Sequence, residues 1–167
     1  FARIGRTYSP VSGQQVRCYS VDDVAARVLE REGRRVEIAA PLRLAPGQGI
    51  IEKLTLLMAD GILRVRLDGR TQLIEEVLPT LDPALDPAQI AVVIDRMRVD
   101  SDDDAQTRIR DSVARAFSYG DGVCLLLCEE GCEEYSSRFE ADGIRFEPPT
   151  EHLFSFNNPL GACPRCE

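Results

Sequence analysis

Residues 90–128 read IAVVIDRMRVDSDDDAQTRIRDSVARAFSYGDGVCLLLC, and this stretch largely determines the fold class. Its first ten residues are mainly apolar and predict a strand, and the apolar run at 123–128 predicts a second, buried strand. Between them, Ser101 or Asp102 caps a helix over residues 104–118, whose acidic first turn suits the positive end of the helix dipole. The stretch therefore predicts a strand, a separate helix and another strand.

Two more helices are predicted upstream, and each is followed by a strand. The first begins at Ser20 in a sequence that resembles a capping box, with Asp23 three residues later, and it ends at Gly33. The second covers residues 49–59, where apolar side chains recur at helical spacing. The predicted strands that follow them cover residues 35–42 and 62–67.

The predicted organisation is one domain between two irregular flanks. Residues 19–137 contain nearly all of the periodic segments and predict an α+β fold, with a mixed or antiparallel sheet and about three helices. Residues 1–18 are rich in turn formers, and residues 129–149 are acidic and irregular, with a short strand near Ile144. The flanks are therefore placed at 1–18 and 138–167.

Alternation in the strand that precedes Asp68 places two arginines on one side of the sheet. Arg64 and Arg66 project from the same face as Ile62, while the residues between them form the apolar face. Two guanidinium groups on an exposed sheet face would offer a rigid pair of forks to carboxylates of a partner. The alternative is an ion pair within the domain, with Asp68, Asp95 or the acidic start of the third helix.

The composition is that of a globular protein without a membrane segment. Of the 167 residues, 44% are hydrophobic, which suffices for a core. No apolar run approaches the roughly 20 residues that span a bilayer, so we expect no membrane partner. The net charge of −8 disfavours DNA binding by this chain alone, because a surface that neutralises phosphates is basic. Six cysteines without a recognisable secretion signal favour a reducing, cytoplasmic setting.

Five short motifs occur in a characteristic order along the chain. They are F-A-R-I-G at 1–5, G-I-L-R-V-R-L-D at 61–68, V-V-I-D-R at 92–96, Y-G-D-G at 119–122 and F-S-F-N-N-P-L-G-A-C-P-R-C-E at 154–167. This order resembles the UvrA family, the ATP-driven damage-recognition subunits of bacterial nucleotide excision repair. The resemblance extends over nearly the whole chain, and the C-terminal motif resembles the segment that closes the family's first zinc module.

The resemblance implies a domain inserted in the first ATP-binding half, which docks the helicase-like partner UvrB. The family's partner-binding arginines correspond by motif to Arg64 and Arg96, with Arg66 beside them. The sequence contains no G-x-x-x-x-G-K-[ST], and Lys53 follows no glycine-rich loop, so we expect no enzymatic activity from this chain. The longer parent is implied to be an ABC-type ATPase that uses ATP and Mg, binds DNA and forms a UvrA homodimer.

The zinc module is where this sequence departs from the family. Cys163 and Cys166 form one C-x-x-C pair, but the positions of the preceding pair are Phe139 and Asp142, which do not replace two thiolates. Zinc is therefore possible rather than implied.

Other residues leave a zinc site open. Ser9 and Ser12 replace a further cysteine pair of the family, whereas Cys128, Cys132 and His152 are candidates to complete a site at a different spacing. Two alternatives to a UvrB-docking domain follow. One is a nucleic-acid-binding zinc module built on Cys163 and Cys166, and the other is a UvrA paralogue with altered partner binding.

Overall fold

The computed structural model describes residues 17–138 and the backbone of residues 140–141 and 144–145. Tyr19–Ser137 forms one compact unit. Helices α1 to α4 span Val21–Leu29, Ile50–Ala59, Ile74–Val77 and Asp103–Tyr119. Strands β1 to β8 span Arg35–Pro41, Arg64–Leu67, Arg70–Leu73, Ala91–Arg98, Val123–Cys128, Gly131–Ser136, Glu140–Ala141 and Ile144–Arg145.

Six of the strands form one sheet in the order β3-β2-β4-β1-β5-β6. Every neighbouring pair in this sheet is antiparallel. The predicted α+β class is confirmed, with the antiparallel form of the sheet. Strands β7 and β8 pair separately, and β8 agrees with the short strand expected near Ile144.

The start of α1 confirms the predicted capping box. The Ser20 hydroxyl accepts from the Asp23 backbone N–H at 3.1 Å, and the Asp23 carboxylate accepts from the Ser20 backbone N–H at 2.8 Å. These bonds satisfy two backbone donors that the first helical turn cannot satisfy itself. The helix then buries Val24, Ala25 and Val28.

The core lies between the sheet and the helices, on one face of the sheet. One group of buried side chains joins α1 and α4 to β1 and β5, and a second group joins α2 and α3 to β2 and β4. Ala40 of β1 pairs with Val92 of β4, and Val92 pairs with Val65 of β2, so both groups lie on the same face. Within residues 17–138, no helix packs on the opposite face.

The predictions that strand β2 begins at Ile62, and that Ile62 shares a face with Arg64 and Arg66, were both wrong. Ile62 is only 2% exposed and precedes the strand, whereas Leu63 is 52% exposed. The reason is the end of α2, where Gly61 has φ +85° and the Ile62 backbone N–H donates to the Leu57 carbonyl at 2.9 Å. Ile62 therefore belongs to the helix terminus, and the strand begins at Arg64.

Strands β3, β6 and β7 and the one-turn helix α3 were not predicted. Strand β3 and helix α3 follow β2 directly, and β6 occupies part of the acidic segment that was expected to be irregular. Strand β6 pairs along its whole length with β5. An amphipathic pattern is weak in such a strand at the sheet edge, because only Tyr135 among its residues is buried.

Candidate functional site

The sheet face opposite the helices carries a group of arginine side chains. They come from β1, β2 and β4, and β2 pairs directly with β4. We call this surface the arginine face, and its arginines are Arg35, Arg64, Arg66, Arg96 and Arg98. All of them except the half-buried Arg66 are exposed.

A bulge in β4 turns Arg96 onto this face. Val92 is buried on the helical side, and strict alternation would direct residue 96 to that side as well. Between Ile38 and Ala39 of β1, however, the register with β4 shifts, and Ile94 is left without a partner. One extra residue reverses the alternation, so Arg96 projects from the face that carries the arginines of β2.

The carboxylate of Glu37 lies between two of the arginines. Arg96 Nε is 3.4 Å from Glu37 Oε1, and Arg66 Nη1 is 3.4 Å from Glu37 Oε2. The Thr71 hydroxyl also donates to Oε2, at 2.7 Å. The Glu37 side chain lies on the central strand β1 and is only 13% exposed. One mostly buried carboxylate therefore binds guanidinium groups from both β2 and β4.

Arg64 differs from its two neighbours. It is exposed and forms no ion pair with any residue of 17–138. Its side chain lines a cleft together with Leu63, Arg96 and Arg108, where β4 extends beyond the beginning of β2. Among the described residues, Arg64 is therefore the arginine of the predicted set that forms no ion pair.

Asp95, one of the intradomain partners considered for the arginines, is bound elsewhere. Its carboxylate accepts from Arg108 Nε at 2.8 Å, from Arg108 Nη2 at 2.7 Å and from the Ser112 hydroxyl at 3.0 Å. Burial alone would raise the pKa of Asp95, but these bonds and the charge of Arg108 outweigh burial, and the pKa lies below its usual value. Asp68 lies in the turn between β2 and β3 with φ +50°.

Sequence reasoning missed Glu37 because its partners depend on the register of three strands. The available signal was a single carboxylate between Val36 and Ile38, at a position that alternation assigns to the face away from the core. A charged residue at the centre of a strand of this kind favours a cross-strand partner of opposite charge. Its two partners become identifiable only after the bulge in β4 is known.

The cysteine candidates within the described residues do not converge. Cys128 lies opposite Gly131 and Cys132 lies opposite Leu127 in the β5–β6 hairpin, so the two thiols occupy opposite faces. Cys124 is buried, and burial raises the pKa of its thiol to about 12. No group of three or more potential metal ligands occurs among the residues that the structure describes. The zinc candidates Cys163, Cys166 and His152, and the departures at Ser9, Ser12, Phe139 and Asp142, lie outside those residues.

The described unit is thus a one-sided antiparallel α+β domain that presents arginines on the face away from its helices. None of its described helices has the length and apolarity needed to cross a membrane. Residues 19–130 match the family model for the UvrA interaction domain. The chain belongs to this family.

Whole proteins of similar sequence agree with that assignment. The chain is 34% identical to UvrABC system protein A of Methanothermobacter thermautotrophicus over 99% of its length, and 33% identical to the Thermus thermophilus protein of that name over 99%. It is also 34% identical to the Neisseria meningitidis protein over 100% of its length. The chain spans 18% of the length of each of these relatives.

Proposed function

We propose that this domain docks UvrB through the arginine face, as the interaction module of a UvrA-type nucleotide excision repair protein. The observation that supports this proposal is the arrangement of Arg64, Arg66 and Arg96 on one sheet face that no described helix covers. Guanidinium groups on a rigid sheet bind carboxylates in a defined, two-pronged geometry. The partner surface is therefore expected to present aspartate or glutamate side chains.

The charge distribution favours a protein partner over a nucleic acid. The chain has a net charge of −8, so its long-range field repels phosphates even though one face is rich in arginine. Glu37 lies within the arginine face, and Glu134 projects from the neighbouring part of the sheet. A local group of arginines in an acidic protein suits short-range recognition of carboxylates more than the tracking of a phosphate backbone.

The remaining functions that the family resemblance implies belong to the longer parent protein. We propose that ATP and Mg are bound outside this chain, and that DNA binding and UvrA homodimerisation also require the parent. The domain acts there as a non-catalytic docking module. Its setting is proposed to be the cytoplasm, where the repair machinery acts on DNA.

The proposal is tested by titrating the chain with UvrB from the same organism and comparing single arginine variants. Arg64→Ala and Arg96→Ala should each weaken binding by about 2–5 kcal/mol, because each removes a charge partner of a carboxylate at the interface. Arg110→Ala is the matched control. Arg110 is a similarly exposed arginine on α4, on the helical side of the domain, paired with Asp22 at 3.0 Å.

Each outcome of this titration bears on the proposal. Loss of binding in the two face variants, with parent-like affinity in the Arg110→Ala control, supports it. Equal affinity in all variants overturns the assignment of the face. Binding of duplex DNA by the chain that weakens steeply with salt and requires Arg64, without binding of UvrB, would instead support the nucleic-acid-binding alternative.

A further inference from the structure

We infer that Glu37 is a positioning residue of the docking surface, which holds Arg66 and Arg96 in a fixed arrangement before a partner arrives. The inference rests on the proposed function, because it assigns a role within the same site. Its structural basis is independent of UvrB. Both oxygens of one mostly buried carboxylate are used, Oε1 by Arg96 and Oε2 by Arg66 and Thr71.

The position of Glu37 explains how one side chain reaches two arginines. Strand β1 lies beside β4, and Glu37 pairs directly with Arg96 across that boundary. Arg66 comes from β2, on the far side of β4, where it pairs with Ala91, and its Nη1 still lies 3.4 Å from the Glu37 carboxylate. Arg96 lies beyond the bulge in β4, and the bulge turns it onto the face that carries Glu37. The ion pair between Glu37 and Arg96 therefore depends on the bulge.

The Glu37 carboxylate is itself held in place. The Thr71 hydroxyl donates to it at 2.7 Å, a shorter contact than either ion pair. Thr71 lies opposite Arg66 in the β2–β3 hairpin, so this hairpin supplies both a guanidinium group and the hydroxyl that orients its acceptor. Four side chains on four adjacent strands therefore form one hydrogen-bonded and charged cluster.

Prior ordering of Arg66 and Arg96 has a consequence for affinity. A long side chain that is immobilised on binding loses rotamer freedom, which weakens association. Arg66 and Arg96 lose less of this freedom because Glu37 already restrains them, whereas Arg64 has no ion-pair partner among residues 17–138. The exposed fraction of Arg96, 54%, leaves donors free for a partner carboxylate.

The charge of Glu37 also has an effect that runs in the opposite direction. A carboxylate within the arginine face lowers the positive potential that attracts an acidic partner. Replacing Glu37 with a neutral residue should therefore leave the association rate unchanged or raise it, while the dissociation rate rises because the arginines are less ordered. A merely structural defect would instead reduce the active fraction and lower the association rate.

The test measures association and dissociation rates of UvrB with the chain and with Glu37→Gln. The expected result is a dissociation rate that rises about 5- to 50-fold, from the ordering of two side chains, with no fall in the association rate. In a background that carries both Arg66→Ala and Arg96→Ala, Glu37→Gln should not raise the dissociation rate further. Thr71→Val should reproduce a smaller part of the same change, and it serves as a second variant should Glu37→Gln fold poorly.

A second readout does not require UvrB. Nitrogen-15 relaxation at the Nε atoms should show Arg66 and Arg96 more ordered than Arg64, and only the first two should lose order in Glu37→Gln. If the unmodified chain does not bind UvrB, the proposed function fails, and this measurement still decides whether Glu37 orders the arginines. Unchanged order in Glu37→Gln, or a loss of affinity that persists in the double arginine background, would overturn the inference.

Discussion

Asp95 and Arg108 form a two-pronged ion pair that joins β4 to α4, with N–O distances of 2.7 and 2.8 Å. Asp95 immediately precedes Arg96, and its Oδ1 also accepts from the Arg96 backbone N–H at 2.7 Å. The pair therefore holds the segment of β4 beyond the bulge, where the strand no longer has β2 as a neighbour. The helical side of the domain thus fixes the strand from which Arg96 projects on the opposite side.

The first prediction concerns this ion pair. Asp95→Ala should lower the free energy of unfolding by about 1–3 kcal/mol, because Arg108 and the buried Ser112 lose their acceptor. Asp22→Ala is the control, since its carboxylate also pairs with an arginine of α4 but is 79% exposed and should contribute little. Chemical denaturation of both variants at neutral pH measures the difference.

The same pair predicts a dependence of stability on pH. The folded-state pKa of Asp95 lies below its unfolded value, so its contribution is present above the ordinary aspartate pKa of about 3.9 and is lost as pH falls through the lowered value. As pH falls into the acid range, the free energy of unfolding of the unmodified chain should therefore fall more steeply than that of Asp95→Asn. Parallel curves for the two proteins down to about pH 2 would contradict the assigned role.

The second prediction concerns Gly120, which follows α4. A Cβ at this position would lie 2.0 Å from the Val123 carbonyl oxygen and 3.0 Å from Pro41 Cδ, so Gly120→Ala forces the backbone to move. We expect a loss of more than about 3 kcal/mol, or no folded protein. Gly49→Ser is the control, because a Cβ at Gly49 meets nothing within 4 Å and the serine adds a cap to α2. Thermal melts compare the two variants, and a parent-like Gly120→Ala would show that this turn is looser than described.

The elements with strong periodic patterns could be predicted from sequence, and the short ones at the sheet edge could not. Helices α1, α2 and α4 have apolar faces and clear ends, whereas β3 has four residues and none of them is buried. A local signal for β3 was nevertheless present. Asp68 and Gly69 have φ values of +50° and +75°, and an Asp-Gly pair of this kind favours a two-residue hairpin turn.

Part of the arginine face could also be predicted, because alternation depends only on neighbouring residues. It places Arg64 and Arg66 on one face of β2 regardless of the rest of the fold. The same rule applied to β4 would have placed Arg96 with Val92 on the helical side. The shift in register that reverses this arises from the pairing of β1 with β4, and no local pattern in either strand specifies it.

The third prediction concerns zinc. Cys163 and Cys166 alone supply two of the four ligands of a structural zinc site, and Cys128 and Cys132 lie on opposite faces of one hairpin. The isolated chain should therefore contain much less than one zinc ion per molecule by elemental analysis. A stoichiometric amount that is lost in Cys163→Ser but retained in Cys124→Ser, a control at a buried thiol, would show that other ligands complete the site.

The last prediction concerns the span 19–137 as an excised domain. Both ends of this unit are tied into the sheet, because the Tyr19 backbone N–H donates to the Ser136 carbonyl and the Ser137 N–H donates to the Gly122 carbonyl, each at 2.8 Å. The Tyr19 and Tyr135 rings also pack edge to face, with centroids 5.0 Å apart.

The excised domain should therefore fold and keep the affinity of the whole chain for UvrB, because the core and the arginine face lie within it. Circular dichroism melts and the UvrB titration compare the two proteins.

A second excision that begins at residue 24 is the control, since it removes the capping box of α1 and the Tyr19 contact, and it should melt at a lower temperature. If residues 19–137 fail to fold while the whole chain folds, the flanks supply stability that this boundary does not assign to them. If they fold but no longer bind, part of the docking surface lies in the flanks rather than on the arginine face.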